Sequence, residues 1–151
     1  MGPSVPFRTA VIARLGQLRV AELLSGWAHA SLKVATELAL GDLRSADLVF
    51  FGPTEILHVE IERLIVDLQD QYRRAADKRE ALAARHSRPV RLVFVIEDTR
   101  RDREAIRPHA ALVETMFPAG SRAVTQAVRT GGPLGRDGLL WIRPSTIPKA
   151  Q

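Results

Sequence analysis

ADLVFFGPTEILHVEIER, residues 46–63, is the stretch whose reading decides the fold. Arg44 to Phe51 is a run of strand-forming residues, Gly52-Pro53-Thr54-Glu55 is a turn, and Ile56 to Ile61 is a second run. Asp47 stands at the start of the first apolar run, while Glu60 and Glu62 close the second. Acids on strands that otherwise read as core cost free energy, so three of them around one hairpin require an explanation.

Upstream, Ser31 to Leu40 alternates Leu32, Val34, Thr36 and Leu38 against Lys33, Ala35 and Glu37. Helix and strand compete here, and the following Gly41-Asp42 turn signal favours a strand entering a hairpin. Three strands joined by tight turns make an antiparallel meander. Before it, Phe7 to about Ala30 spaces its apolar residues as one or two amphipathic helices, with Gly16 and Gly26 as the expected interruptions. After it, Arg63 to Ala84 has helical spacing and good helix formers. VRLVFVI (residues 90–96) reads as a strand buried on both faces. Thr99 to Met116 reads as a helix capped by Thr99 or Asp98 and kinked or split at Pro108. A short helix over Ser121–Arg129 and a strand over Leu139–Ile142 complete the order. The fold class expected is α/β (α+β), with a mixed sheet, a three-strand meander and a helix-β-β-β-helix-β core flanked by helices. One domain is expected over residues 1–143, with a disordered tail at 144–151.

The chain has 151 residues, no cysteine and a net charge of +5. Disulfides and thiolate metal sites are therefore excluded, and a cytoplasmic location is the default. No apolar run approaches the roughly 20 residues a membrane span needs, and the opening MGPSVPF lacks the pattern of a signal peptide. The basic excess, mostly arginine, suits contact with phosphates. With two Trp, one Tyr and five Phe, and with Trp27 and Trp141 read as core, no stacking platform for single strands is expected. Gly131-Gly132-Pro133-Leu134-Gly135 is not a phosphate loop, since no Gly-Lys-Ser/Thr follows.

Alternation puts His58, Glu60 and Glu62 on one face of their strand, and an antiparallel turn near Gly52–Glu55 brings residues around Asp47 across from residues around Glu60. Carboxylates on adjacent strands suit a hard divalent cation, Mg²⁺ or Mn²⁺, which can polarise a phosphate and lower the pKa of a bound water. The plainer readings stand beside this one. Glu60 and Glu62 pair with Arg63, Arg44 or Lys33 on a solvated face, Asp47 is a strand-edge polar residue, and His58 is an ordinary exposed or hydrogen-bonded histidine. Gln69 is then solvated, and Lys78 joins Arg73, Arg74 and Arg79 on a basic helix face.

This arrangement resembles the PD-(D/E)xK phosphodiesterase superfamily, with its restriction endonucleases and repair nucleases, over about Gln17 to Glu97. Asp47 falls at that family's metal-binding Asp, and Glu60 at the acid of its (D/E)xK element. Glu62 stands where the lysine would be, an ExE variant of the motif. The resemblance implies metal-dependent hydrolysis of DNA, with Asp47 and Glu60 binding the metal. Glu62, or Lys78 in its place, would position or activate the water, although Lys78 lies about four turns along its helix. Gln69 and Tyr72 lie where family members carry a Gln that orients the site or meets DNA, and Glu37 is a further candidate ligand. Arg73, Arg100 and Arg101 are the remaining candidate nucleic-acid contacts. The chain is also similar to the nuclease-like domain attached to some bacterial helix-turn-helix regulators, which implies a module of a longer DNA-binding protein. A homodimer suits the cutting of two strands. The competing expectation is a non-catalytic module with the same fold, serving DNA binding, regulation or protein association.

Overall fold

The computed structural model describes residues 7–41 and 44–149, with side chains from Leu15 onward. Five strands form one sheet in the order β1 (Lys33–Gly41), β2 (Arg44–Phe51), β3 (Ile56–Glu62), β4 (Val90–Glu97) and β5 (Gly138–Ile142). β1, β2 and β3 pair antiparallel, whereas β3–β4 and β4–β5 pair parallel. The mixed α/β sheet expected from the meander is therefore what forms. The opening MGPSVP, the Asp42 side of the first turn and the last two residues lie outside the described residues.

Helices cover both faces. On one, α1 (Phe7–Trp27) and α5 (Ser121–Thr130) pack Val20, Leu24, Val124 and Val128 against Leu48, Phe50, Val59 and Val95 of the sheet. On the other lie α2 (Leu68–Ala83), α3 (Arg100–Ile106) and α4 (Ala110–Met116), over Leu92, Phe94 and Ile96. β4 is covered on both sides, which is why Leu92–Ile96 is an unbroken apolar run rather than an alternating one. Phe94 stacks at 4.8 Å from Phe117, and Tyr72 of α2 meets Phe117 edge-on at 5.7 Å. Tyr72 is thus a core residue.

Three local expectations shift, while the break expected at Pro108 is found. The N-terminal stretch is one helix: Gly16 does not interrupt it, and a Cβ there would collide with the Arg63 guanidinium. The helix expected from Arg63 begins at Leu68, where Asp67 caps it by accepting the Asp70 N–H at 3.0 Å. Pro108 splits the next helix, with a 3-10 turn at Arg107–His109 between α3 and α4. The segment expected to be disordered from residue 144 instead starts with a 3-10 turn, Pro144–Thr146, and Ile147 packs against the core.

Residues 63–67, between β3 and α2, set where α2 begins. Asp102, almost wholly buried in α3, holds this loop by accepting the Ile65 N–H at 2.9 Å. Asp102→Ala leaves that amide without a partner and is expected to lower stability by about 1–3 kcal/mol, read as a lower urea midpoint with an unchanged slope. A variant as stable as the parent would show the loop is held otherwise.

Candidate functional site

The antiparallel ladder between β2 and β3 runs from Phe51↔Ile56 to Leu48↔Val59 and then stops. The next positions, Asp47 and Glu60, replace it with two side-chain bonds. The Asp47 N–H donates to Glu60 Oε2 at 3.1 Å, and the Ile61 N–H donates to Asp47 Oδ2 at 2.9 Å. From α1, the Gln17 amide donates to the Ile61 carbonyl at 3.1 Å. On the other side of Asp47, the β1–β2 ladder skips one position: Thr36↔Leu48 and Leu38↔Ala46 are matched in a single register, and between them Glu37, across from Asp47, has a φ of 49°. That left-handed conformation costs a non-glycine residue about 1–2 kcal/mol. Glu37, Gln17, Ser45 and Asp47 line one small cavity.

α2 runs back along β3, so its successive turns meet successive acids on one strand face. Near its start, the Gln71 amide nitrogen donates to Glu62 Oε2 at 2.9 Å and to the Leu64 carbonyl at 3.1 Å. The Gln71 oxygen accepts the N–H groups of Val66 and Asp67, at 2.9 and 3.0 Å, which fixes the amide's orientation. Two turns on, Lys78 Nζ lies 2.6 Å from Glu60 Oε1. Asp47, Glu60, Glu62, Gln71, Lys78 and Gln17 line a cleft of about 320 Å³, with Arg74 at the same opening. His58, fully buried behind Glu60, brings Nε2 to 3.3 Å from Glu60 Oε2, off the line of a good hydrogen bond.

The four candidate catalytic residues therefore come together: Asp47, Glu60, Glu62 and Lys78 face one cleft. Glu60 is 2% exposed, so it is no member of a solvated face. The Arg63 side chain pairs with Glu97 instead, at 2.9 Å. Lys78 is not too far along the helix, because α2 folds back over β3. Gln69 is exposed, beside Asp67, Asp70 and Arg73, and the glutamine that enters the cleft is Gln71. Its signal was in the sequence: it is three residues from Leu68, four from Ala75 and seven from Lys78, on the buried side of the helix. Arg73 pairs with Asp70 and Arg100 with Glu104, both exposed, and Arg101 is exposed at the start of α3. None of Gln69, Arg73, Arg100 and Arg101 lines the acidic cleft.

Packing three acids together shifts their protonation. Burial, then the neighbouring Glu60 charge, pushes Asp47 up to about 6. Burial pushes Glu62 up to about 7, with the Gln71 hydrogen bond opposing and the Glu60 and Asp47 charges adding to the rise. Burial works against ionisation of Glu60 too, but His58 and Lys78 together hold its carboxyl below the usual range. The cluster is thus one firm carboxylate between two acids whose proton affinity is raised, Glu62 more than Asp47.

The sign of the stability effect follows. Glu62 binds its proton more tightly folded than unfolded, so folding stability falls as pH rises from about 4 to about 7 and stays lowered above that. Glu62→Gln is expected to raise stability at pH 8 by about 1–2 kcal/mol and to leave it nearly unchanged at pH 4. Thermal melts at the two pH values check this; an equal effect at both would mean the carboxyl is not strained.

As a cation site, the donor set is chemically suitable: Asp47 and Glu60 offer hard oxygens from adjacent strands, and Glu62 lies on the same face. Among the described residues, however, no three His, Asp or Glu side chains stand ready to share one ion. Lys78 already engages one oxygen of Glu60. The pair Asp47 and Glu60 fits a divalent cation only with a change in that contact.

No family model matches the chain, and neither a curated protein nor a solved structure matches it. No helix among the described residues is long and apolar enough to cross a membrane.

Proposed function

We propose that the acidic cleft is a metal-dependent phosphodiesterase site acting on DNA, of the PD-(D/E)xK kind. The observation that carries this reading is Lys78. The motif position two residues after Glu60 holds a glutamate, and α2 brings an ammonium to the same carboxylate from elsewhere in the chain.

Asp47 and Glu60 would hold Mg²⁺ or Mn²⁺, which when bound supplies a positive charge against the scissile phosphate and acidifies a water. The chain's own groups do the rest. Glu62, with a pKa of about 7, is suited to take the proton of the attacking water at neutral pH. Gln71 fixes the carboxylate's orientation. Lys78, one-quarter exposed at the cleft, offers its ammonium to the charge that builds on phosphate oxygens. Arg74 at the cleft, with Gln69, Arg73, Arg100 and Arg101 exposed around α2 and α3, would contact backbone phosphates. Acting on DNA, the protein would work in the cytoplasm.

One observation favours a second reading, a fold that keeps the sheet without the chemistry. The Lys78–Glu60 contact leaves no preformed group of three ligands. Cleavage of plasmid and of short oligonucleotides, with Mg²⁺, with Mn²⁺ and with EDTA, separates the two. Metal-dependent cleavage whose rate rises with pH through about 7, with that rise lost in Glu62→Gln, is expected. No cleavage with either metal sinks the enzymatic reading.

A further inference from the structure

A groove of about 590 Å³ runs along α5 at the β5 edge of the sheet and shares no residue with the acidic cleft. The indole of Trp27, with Leu140 and Ile142 of β5, gives it an apolar floor. Trp141 adds no ring to that floor. Its indole packs with the Phe94 cluster on the opposite face of the sheet, under the Arg103 guanidinium of α3 at 3.9 Å. Arg122, Arg129 and Arg143 are exposed along the groove, and no acid lines it. Among the described residues these three arginines take part in no ion pair. Arg143 is within electrostatic reach of Asp98, but that carboxylate is already held by two Arg103 nitrogens, at 2.7 and 3.0 Å. The groove therefore combines an apolar floor with unmatched positive charge.

Two features select its occupant. The first is the spread of the charges. Arg122 and Arg129 are seven residues apart on α5, about 10 Å of helix rise, and Arg143 comes from the segment after β5. A single anionic head group cannot meet all three, whereas a chain carrying several anions can. The second is the floor, which discriminates among anionic chains. A single-stranded nucleic acid needs successive flat rings for its bases, and here there is one indole, with Arg129 already over it at 4.8 Å. An acidic amphipathic helix supplies both parts, with apolar side chains on one stripe and carboxylates at its margin. Glutamates seven residues apart on such a helix repeat the two-turn spacing of Arg122 and Arg129.

We propose that this groove docks an acidic amphipathic helix of a partner protein, with its apolar stripe on Trp27, Leu140 and Ile142 and its carboxylates on Arg122, Arg129 and Arg143. Docking there does not depend on hydrolysis in the acidic cleft.

The chain has two tryptophans, so Trp141→Phe leaves Trp27 as the sole reporter, in the groove, and Trp27→Phe leaves Trp141, on the other face. The probe is a synthetic leucine- and glutamate-rich peptide of roughly 15 residues, long enough to form a helix alone. Titrating it into Trp141→Phe is expected to shift the Trp27 emission saturably to shorter wavelength, and the emission of Trp27→Phe is expected to stay flat. The triple variant Arg122→Gln/Arg129→Gln/Arg143→Gln, made in Trp141→Phe, is expected to bind at least about tenfold more weakly. A peptide of equal charge with serine in place of leucine is expected to lose at least as much. Absence of a saturable shift overturns the proposal, as does an equal shift in Trp27→Phe or unaltered binding by the triple variant. Tighter binding of an oligothymidylate, or of phosphatidylglycerol vesicles, overturns it in favour of that partner. Should the triple variant lose its fold, Gln126→Glu decides, since it sets an acid among the arginines at an exposed position of α5. Weaker peptide binding by that variant supports the proposal, and unchanged binding overturns it.

Discussion

Asp47→Asn is expected to reduce Mg²⁺-dependent cleavage by at least about a thousandfold while raising the melting temperature at pH 8. The substitution keeps an oxygen to accept the Ile61 N–H, so the bond that closes β2 onto β3 survives. What goes is a carboxylate pushed up to about 6 by burial and by Glu60. Folded Asp47 binds its proton more tightly than the unfolded chain does, so its charge lowers stability above that pH. Removing the charge relieves this cost and removes the proposed cation ligand together. A loss of activity accompanied by a loss of stability would instead mean that Asp47 is a strand residue whose role is structural. A variant that cleaves as well as the parent excludes Asp47 as a ligand.

Lys78→Met is expected to act on both properties in the same direction. Glu60 is nearly sealed from solvent and has its nearest charged partner in Lys78, at 2.6 Å. Removing one member of a buried pair leaves the other charge uncompensated, at a cost of up to about 3 kcal/mol here. The His58 contact and the Asp47 N–H soften the loss. Cleavage is expected to fall about a hundredfold or more, the usual size for losing one group that stabilises transition-state charge. Lys78→Arg separates the two roles: the charge and much of the stability return, but a planar guanidinium places its donors differently and cleavage recovers only in part. If both variants melted as the parent does, the Lys78–Glu60 contact would carry no weight in the fold.

The sheet was legible in residues 44–63 because alternation, turn residues and misplaced acids all lie close together in sequence. The same is true of β4, whose unbroken apolar run has one simple cause, burial on both faces. The phase of α2 against β3 was harder to read. Leu68, Tyr72, Ala75 and Leu82 define its buried side, but sequence spacing alone does not say which polar residues on that side meet the strand's acids. Hence sequence position points to Gln69 where Gln71 enters the cleft, and it sets Lys78 about four turns away although the reversal of the chain carries it back to Glu60. Both tryptophans pack against the core clusters yet stay partly exposed. Trp27 ends α1 and Trp141 lies on the edge strand, and position at the margin of the sheet, rather than residue type, decides how much of an indole is covered. Glu37 carries no sequence signal of its left-handed backbone, since what marks the position is its place across from Asp47, where the β1–β2 ladder skips a pair.

The halt of the β2–β3 ladder gives the protein its own reporter. Along the matched part of the β2–β3 ladder an amide is stitched to a carbonyl, whose charge never changes. At Asp47 and Ile61 the stitches are carboxylates, so whatever protonates or claims those oxygens also tugs at the seam between two strands. Chemistry in the cleft and the tightness of the sheet are therefore one mechanical unit, and the exchange rates of two backbone protons follow the occupancy of the site.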